Sequence, residues 1–192
     1  MEVFVMGFFD IFRTHTDYPP VPFLVTVIAF ETANKSHKSV CKVSVHVVDN
    51  GNVVFSKEQL IKPKTKSWTF TYYNHISEKD VQNAPTFEEY WPTIEPYIKG
   101  NVVYFSNYQR SVLHAKCGDL PVNYVDVQDI VCTWYEMDHY SMDDILDKFG
   151  CDCRGSKPEM VYNILCALYQ RKKGKMKKVL SRKNEDDYDY YD

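Results

Sequence analysis

The chain has no apolar run long enough to span a bilayer. Its densest stretch, residues 23–30, is eight residues long and includes Thr26, whereas a spanning helix needs about 20. It has no basic leader either, because the start is acidic at Glu2, which argues against a secretory signal. It has little net charge: 23 Lys/Arg against 26 Asp/Glu give a formal −3, so the molecule as a whole does not announce a nucleic-acid binder. It has no disulfide framework, since six cysteines in 192 residues are too few for a stapled scaffold. The expectation is a reduced, cytoplasmic protein. Cys151-x-Cys153 supplies half of a zinc site, but no second Cys/His pair at suitable spacing accompanies it.

What is present can bury a core. Hydrophobic residues make up 44% of the chain, with 15 Tyr and 11 Phe, and the length fits one domain with tails. Residues 171–183 carry eight Lys/Arg and no acid, and residues 184–192 carry five Asp/Glu and no base. Residues 1–170 then hold fifteen bases and twenty-one acids. The expected organisation is an N-terminal arm over 1–22, a domain over 23–170, and a basic then acidic tail over 171–192. The tail continues the last helix as a solvated basic face and is disordered from 184 on.

The arm is apolar over residues 1–12 and turn-rich over 14–22. It reads either as a segment packed on the domain surface or as one that docks a partner or a membrane. Met6-Gly-Phe-Phe-Asp-Ile-Phe12 also reads as a natural start.

The spacing predicts strands over 25–30, 40–48 and 53–61, with Asp49-Asn-Gly-Asn52 as a hairpin turn between the second and third. It predicts a helix over 86–98, capped by Thr86 with Glu89 three residues on, and bent or broken at Pro92 and Pro96. A buried strand over 101–106, a helix over 108–117 and a short strand over 124–127 follow, then helices over 128–135, 141–149 and 158–171. Strands first, then alternation of strand and helix, predict an α/β fold with one antiparallel hairpin.

The most informative stretch is Val27-Ile-Ala-Phe-Glu-Thr-Ala-Asn34. A buried strand ends at one carboxylate, Glu31. Two-metal phosphoryl chemistry wants a second acid two residues earlier on the same face, and that position is Ala29.

Three segments in order carry a resemblance: Ile28-Ala-Phe-Glu-Thr-Ala-Asn34, Asn74-His-Ile-Ser-Glu-Lys-Asp-Val-Gln-Asn-Ala-Pro-Thr-Phe87, and Tyr108-Gln-Arg-Ser-Val-Leu113. Cys132-Thr133 and residues 141–150 match later landmarks. Over residues 23–170 the chain resembles the DEDD (DnaQ-like) 3′–5′ exonucleases. The resemblance implies an RNase H-like fold, a mixed five-stranded sheet with strand two antiparallel, flanked by helices. It also implies a homodimer, since members of that family often dimerise.

The family's acids are mostly missing. Its first motif is Asp-x-Glu, here Ala29-Phe30-Glu31. The acid of its middle motif is replaced by Gln109. Its third motif, a His or Tyr followed by an Asp, falls in residues 151–159, which contain neither His nor Tyr. The nearest fit places Lys157 at the Asp position, and Glu159 becomes the acid instead if the helix shifts. Mg²⁺ needs hard oxygen ligands, mostly carboxylates. A neutral amide and an ammonium do not supply them, although a lysine there could replace a metal's charge.

The resemblance therefore implies an inactive relative with no metal or cofactor, which binds nucleic acid or a protein partner through the old cleft. The cleft candidates are Phe30, Thr32, Tyr104, Tyr108 and Arg110, and the aromatic residues read either as core or as a stacking platform. The nucleic-acid candidates of the basic run are Arg171, Lys172, Lys173, Lys175, Lys177 and Lys178. Glu31 reads as a solvated strand-end acid, a relic, or a residue reused for binding.

Two rivals stay open: an active nuclease using Mg²⁺ or Mn²⁺ on Glu31, Asp152 and Glu159, and an interaction or inhibitor protein that is not an enzyme. His37, His46, His75, His114 and His139 do not stand at a catalytic position and read as surface or structural residues.

Overall fold

In strand β1, Leu24–Thr32, valine, isoleucine and threonine favour the extended chain, and all but its two charged or terminal positions are buried. A computed structural model describes residues 18–182. The arm up to residue 17, Lys183 and the acidic end over 184–192 lie outside the described residues, and so do the readings of residues 1–12 as a docking segment and of 184–192 as disordered. The described end of the arm lies on the body. Val21 is fully buried, the Tyr18 hydroxyl donates to the Phe149 carbonyl, and Gln170 Nε2 donates to the Pro19 carbonyl.

Strands β2 (Val40–Asp49) and β3 (Asn52–Leu60) form the expected hairpin. Asn50 and Gly51 turn it at φ of 48° and 83°, the left-handed geometry that suits a two-residue turn. A Cβ on Gly51 would meet Pro20 Cγ at 2.5 Å, so the arm closes over this turn. β3 lies at the sheet edge and carries Ser56, Lys57, Glu58 and Gln59 there, polar residues that blunt an open edge.

After β3 come α1 (Thr71–Asn74), α2 (Phe87–Ile94), a 3-10 turn (Glu95–Tyr97), β4 (Asn101–Tyr104), α3 (Asn107–Cys117) and β5 (Asn123–Asp126). Helices α4 (Val127–Trp134), α5 (Met142–Phe149), α6 (Lys157–Arg171) and α7 (Lys173–Leu180) complete the described chain. The sheet order is β3-β2-β1-β4-β5. β1 is antiparallel to β2 and parallel to β4, and β4 is parallel to β5. This is the mixed five-stranded α/β sheet that was expected.

Three local readings change. The four-residue α1 was not foreseen. The helix expected over 86–98 ends at Ile94 and tightens into the 3-10 turn, where Pro96 lies, while Pro92 stays inside α2. The basic run does not simply extend α6. The chain breaks at Lys172, φ −134°, and restarts as α7, which buries Met176, Val179 and Leu180. Asn123 Nδ2 donates to the Val179 carbonyl, so α7 is packed on β5 rather than solvated all round.

The alternating side chains of the sheet feed two cores. Val25, Val27, Val103 and Val125 pack with α4 to α7, and Ile28, Phe30, Val43, Val45 and Val102 pack with α2 and α3. The β1–β4 ladder spans only Val25–Val27. β1 therefore runs on past β4, and the end that carries Glu31 is free of a neighbouring strand on that side.

Candidate functional site

The site is built where β1 outruns β4. Ala29 and Glu31 share the face of β1 that carries Val25 and Val27, the face covered by α6. Lys157, in the first turn of α6, forms an ion pair with Glu31: its Nζ meets Glu31 Oε1. The ammonium thus neutralises the carboxylate. Glu31 is 20% exposed and Lys157 48%, so the pair lies at the rim of the fold.

Gln109, in the first turn of α3, reaches the same strand from the side. Its Oε1 accepts from the Phe30 N–H at 2.7 Å and its Nε2 donates to the Phe30 carbonyl at 3.3 Å. The side-chain amide completes the backbone bonding that β4 leaves unmade. The chain enters α3 through Ser106 at φ 78°, and the Ser106 N–H donates to Asp126 Oδ1 at 3.0 Å. Asp126 also caps α4, accepting from Gln128 N and Asp129 N. Burial raises its carboxyl above the usual carboxylate range.

The other proposed acids have different work. Glu159 Oε2 accepts from the N–H and hydroxyl of Ser156 at 2.7 and 3.0 Å, capping α6. Asp152 accepts from the backbone and side chain of Arg154. Cys41, near Glu31, is a neutral thiol. Burial, with the Glu31 charge adding to it, pushes it up to about 12.

Among the described residues, no group of three or more His, Cys, Asp or Glu side chains could hold a metal ion. No second Cys/His pair joins Cys151 and Cys153 there, and Cys151 Sγ lies 3.8 Å from the Asn163 carbonyl. At the expected motif positions the structure thus places one carboxylate, paired with an ammonium, and one amide carbonyl, bonded to Phe30.

The cleft candidates divide. The Thr32 and Tyr108 hydroxyls share a hydrogen bond of 2.8 Å and the His37 ring meets Tyr108 edge-on, so this group lines the end of β1. Phe30 and Tyr104 are core residues, packed toward Phe87 and Tyr124. Arg110 lies over the Tyr124 ring.

The basic candidates divide too. Arg171 lies over Phe149 and Tyr18, Lys172 over Tyr135, Lys173 over Tyr169 and Lys175 over Trp134, while Lys177 and Lys178 are exposed. His46 is buried against Ser56, His114 pairs with Asp119, His75 closes α1, and His139 is exposed.

Two residues not singled out in the sequence organise the strand end. Asn34 Nδ2 donates to Thr65 Oγ1 and the Ser67 carbonyl, and Asn74 Nδ2 donates to the Thr32 carbonyl. Both lie inside the segments that carry the resemblance, which was the available signal.

No protein-family model matches the sequence, and no curated protein matches it. Solved structures do match. Exonuclease X in complex with 5′ overhanging duplex DNA has a TM-score of 0.66 at 13% identity, covering 82% of this chain and 99% of that one. The fold is that of the DnaQ-like exonucleases. Exonuclease I of E. coli in complex with a dA16 oligonucleotide matches at TM-score 0.65 and 10% identity, covering 81% of this chain and 42% of that one. The exonuclease I/SSB-Ct complex matches at TM-score 0.64 and 9% identity, with 43% of that chain covered. The chain thus spans nearly all of exonuclease X and less than half of exonuclease I. Within this exonuclease fold, no helix among the described residues is long and apolar enough to cross a membrane.

Proposed function

We propose that this is a catalytically inactive exonuclease-fold protein that binds nucleic acid without cleaving it. The ion pair of Lys157 with Glu31 carries the reading. A divalent ion beside Glu31 would have to displace or repel the ammonium, and Ala29 and Gln109 bring no charge to help it. The nucleic-acid half of the reading is supported by the DNA-bound structures whose fold the chain shares.

The rival reading with relocated acids asks Glu159 to leave the N-terminus of α6 and Asp152 to leave Arg154. Both would forfeit charge-assisted hydrogen bonds. The interaction-protein reading has its support in the exonuclease I/SSB-Ct structure, and it predicts a stoichiometric protein partner without nucleic acid.

The test is an assay of purified protein with Mg²⁺ and with Mn²⁺ on 3′-labelled single-stranded DNA and RNA, with Glu31→Ala in parallel. The expected result is intact substrate together with binding that weakens as salt rises. Cleavage that disappears in Glu31→Ala would overturn the proposal.

A further inference from the structure

A lysine-lined groove lies on the other side of the sheet from the Lys157–Glu31 pair. It has two lobes, of about 720 and 270 Å³, which share Lys62, Pro63, Lys64 and Thr65. The smaller lobe is walled by Val40, Ile61 and Phe87 of the core under α2 and α3, whereas Lys157 rises from α6 over the opposite core. Lys38, Lys62, Lys64, Lys66 and Lys116 line the two lobes.

The acids in the walls do not neutralise this set. Glu88 is paired with Lys116 at 2.7 Å, and the nearby Lys64 charge also helps to hold its carboxyl down. Glu89 is spent on the cap of α2, accepting from Thr86. Lys62 Nζ donates to the Gln82 carbonyl. Lys38, Lys64 and Lys66 are exposed and have no carboxylate partner among the described residues. A chain whose residues 1–170 carry an excess of acid thus gathers five lysines against two acids in one concavity, which concentrates positive potential there.

The chain that leaves the groove carries an exposed aromatic pair. Tyr72 and Tyr73 are 83% and 76% exposed, and their rings meet edge to face at 5.5 Å. Large exposed aromatics are unusual without a partner. They follow Lys66 by six and seven residues, so the chain itself keeps Tyr72 within about 20 Å of Lys66. Asn34 ties the lysine loop to the end of β1 through Thr65 and Ser67. Phe70 N donates to the Ala33 carbonyl and Asn74 Nδ2 to the Thr32 carbonyl, anchoring α1 to the same strand end. Cations and rings are therefore held on one frame.

We infer that this groove and the Tyr72–Tyr73 pair form a binding track for single-stranded nucleic acid, with lysines on the phosphates and tyrosines on unpaired bases. Base stacking on an aromatic ring needs bases freed from a duplex, and a phosphate backbone satisfies a row of ammonium groups without sequence preference. An acidic peptide would use the lysines and leave the rings idle. The inference rests on the nucleic-acid reading above and places the phosphate contacts in the lysine groove, away from the Lys157–Glu31 pair and from the basic run of α7.

The experiment measures the binding of labelled oligothymidylate and oligouridylate by fluorescence anisotropy across a salt series. It compares the full chain with Lys38→Ser/Lys64→Ser/Lys66→Ser, with Tyr72→Ala/Tyr73→Ala, and with Lys177→Ser/Lys178→Ser. All these positions are exposed, and melting curves confirm the fold of each variant. The lysine variant should bind at least about tenfold more weakly, with a salt slope reduced by about 2, or roughly 0.7 for each phosphate deprived of its lysine. The tyrosine variant should lose about tenfold or more with its salt slope unchanged, and the α7 variant should bind as the parent does.

Binding by the parent that neither groove variant weakens overturns the track and leaves the nucleic-acid reading standing. No single-strand binding by the parent overturns both. A polyglutamate peptide that competes fully and needs the lysines but not the tyrosines assigns the groove to an acidic peptide and overturns the proposal.

Discussion

Gln109 bonds Phe30 as a neighbouring strand would. One amide accepts from the Phe30 N–H and donates to its carbonyl, at the point where β4 no longer runs beside β1. Gln109→Ala leaves both backbone groups of a buried residue without their partner. The expected cost is about 1–3 kcal/mol, the range for an unsatisfied buried polar group. It is read as a lower urea midpoint with an unchanged slope, and a loss within experimental error would mean that water replaces the amide.

The Lys157–Glu31 pair is expected to hold α6 to β1 modestly. Its rim position limits the coupling to about 1 kcal/mol, measured by a double-mutant cycle of Lys157→Met and Glu31→Gln. Removing the lysine alone should not create a metal site, because Ala29 and Gln109 still contribute no carboxylate. Titration of Lys157→Met with Mn²⁺ should show no calorimetric binding above that of the parent.

Acid should destabilise the fold through His46. Burial lowers its pKa below the ordinary 6.5, with the Glu159 charge only partly opposing it. Above about pH 6.5 the imidazole is neutral in both states and the stability is fully present. As the pH falls below that value, the unfolded chain takes up a proton that the folded chain refuses, so stability is lost down to the folded pKa. The loss is at most about 1.4 kcal/mol per pH unit for one proton. Thermal midpoints between about pH 7.5 and pH 5.5 should fall for the parent, and more gently for His46→Gln.

Met176 is fully buried although it stands within a run of lysines. Met176→Ala should cost about 2–4 kcal/mol by opening a cavity, while Lys177→Ala should change stability by less than about 0.5 kcal/mol. Deleting the basic run as if it were a free tail would therefore damage the core, and charge substitutions at Lys177 and Lys178 are the cleaner test of whether it contributes to binding at all.

Much of the frame was legible because it is local. β-branched runs, the Asp49-to-Asn52 turn and the Thr86 cap act over a few residues, and such local signals predicted the sheet and most helices to within a residue or two. Where prediction failed, a longer-range contact won. The basic run looked solvated because its spacing shows eight charges, yet β5 and α6 offered an apolar seat for Met176, Val179 and Leu180. The rings Phe30 and Tyr104 were readable as aromatic but not as core or platform, since that depends on which helix covers the strand.

The amino-acid sequence by itself determined the sheet pattern and the absence of acid at Ala29, Gln109 and Lys157, because those are matters of residue identity and short-range spacing. Only the tertiary structure decided that Lys157 closes on Glu31, that Gln109 spends its amide on Phe30, and that Lys38 joins Lys62, Lys64 and Lys66 around one groove. A charge or an amide has no partner until packing brings distant segments together, and the same side chain does different chemistry according to what it meets.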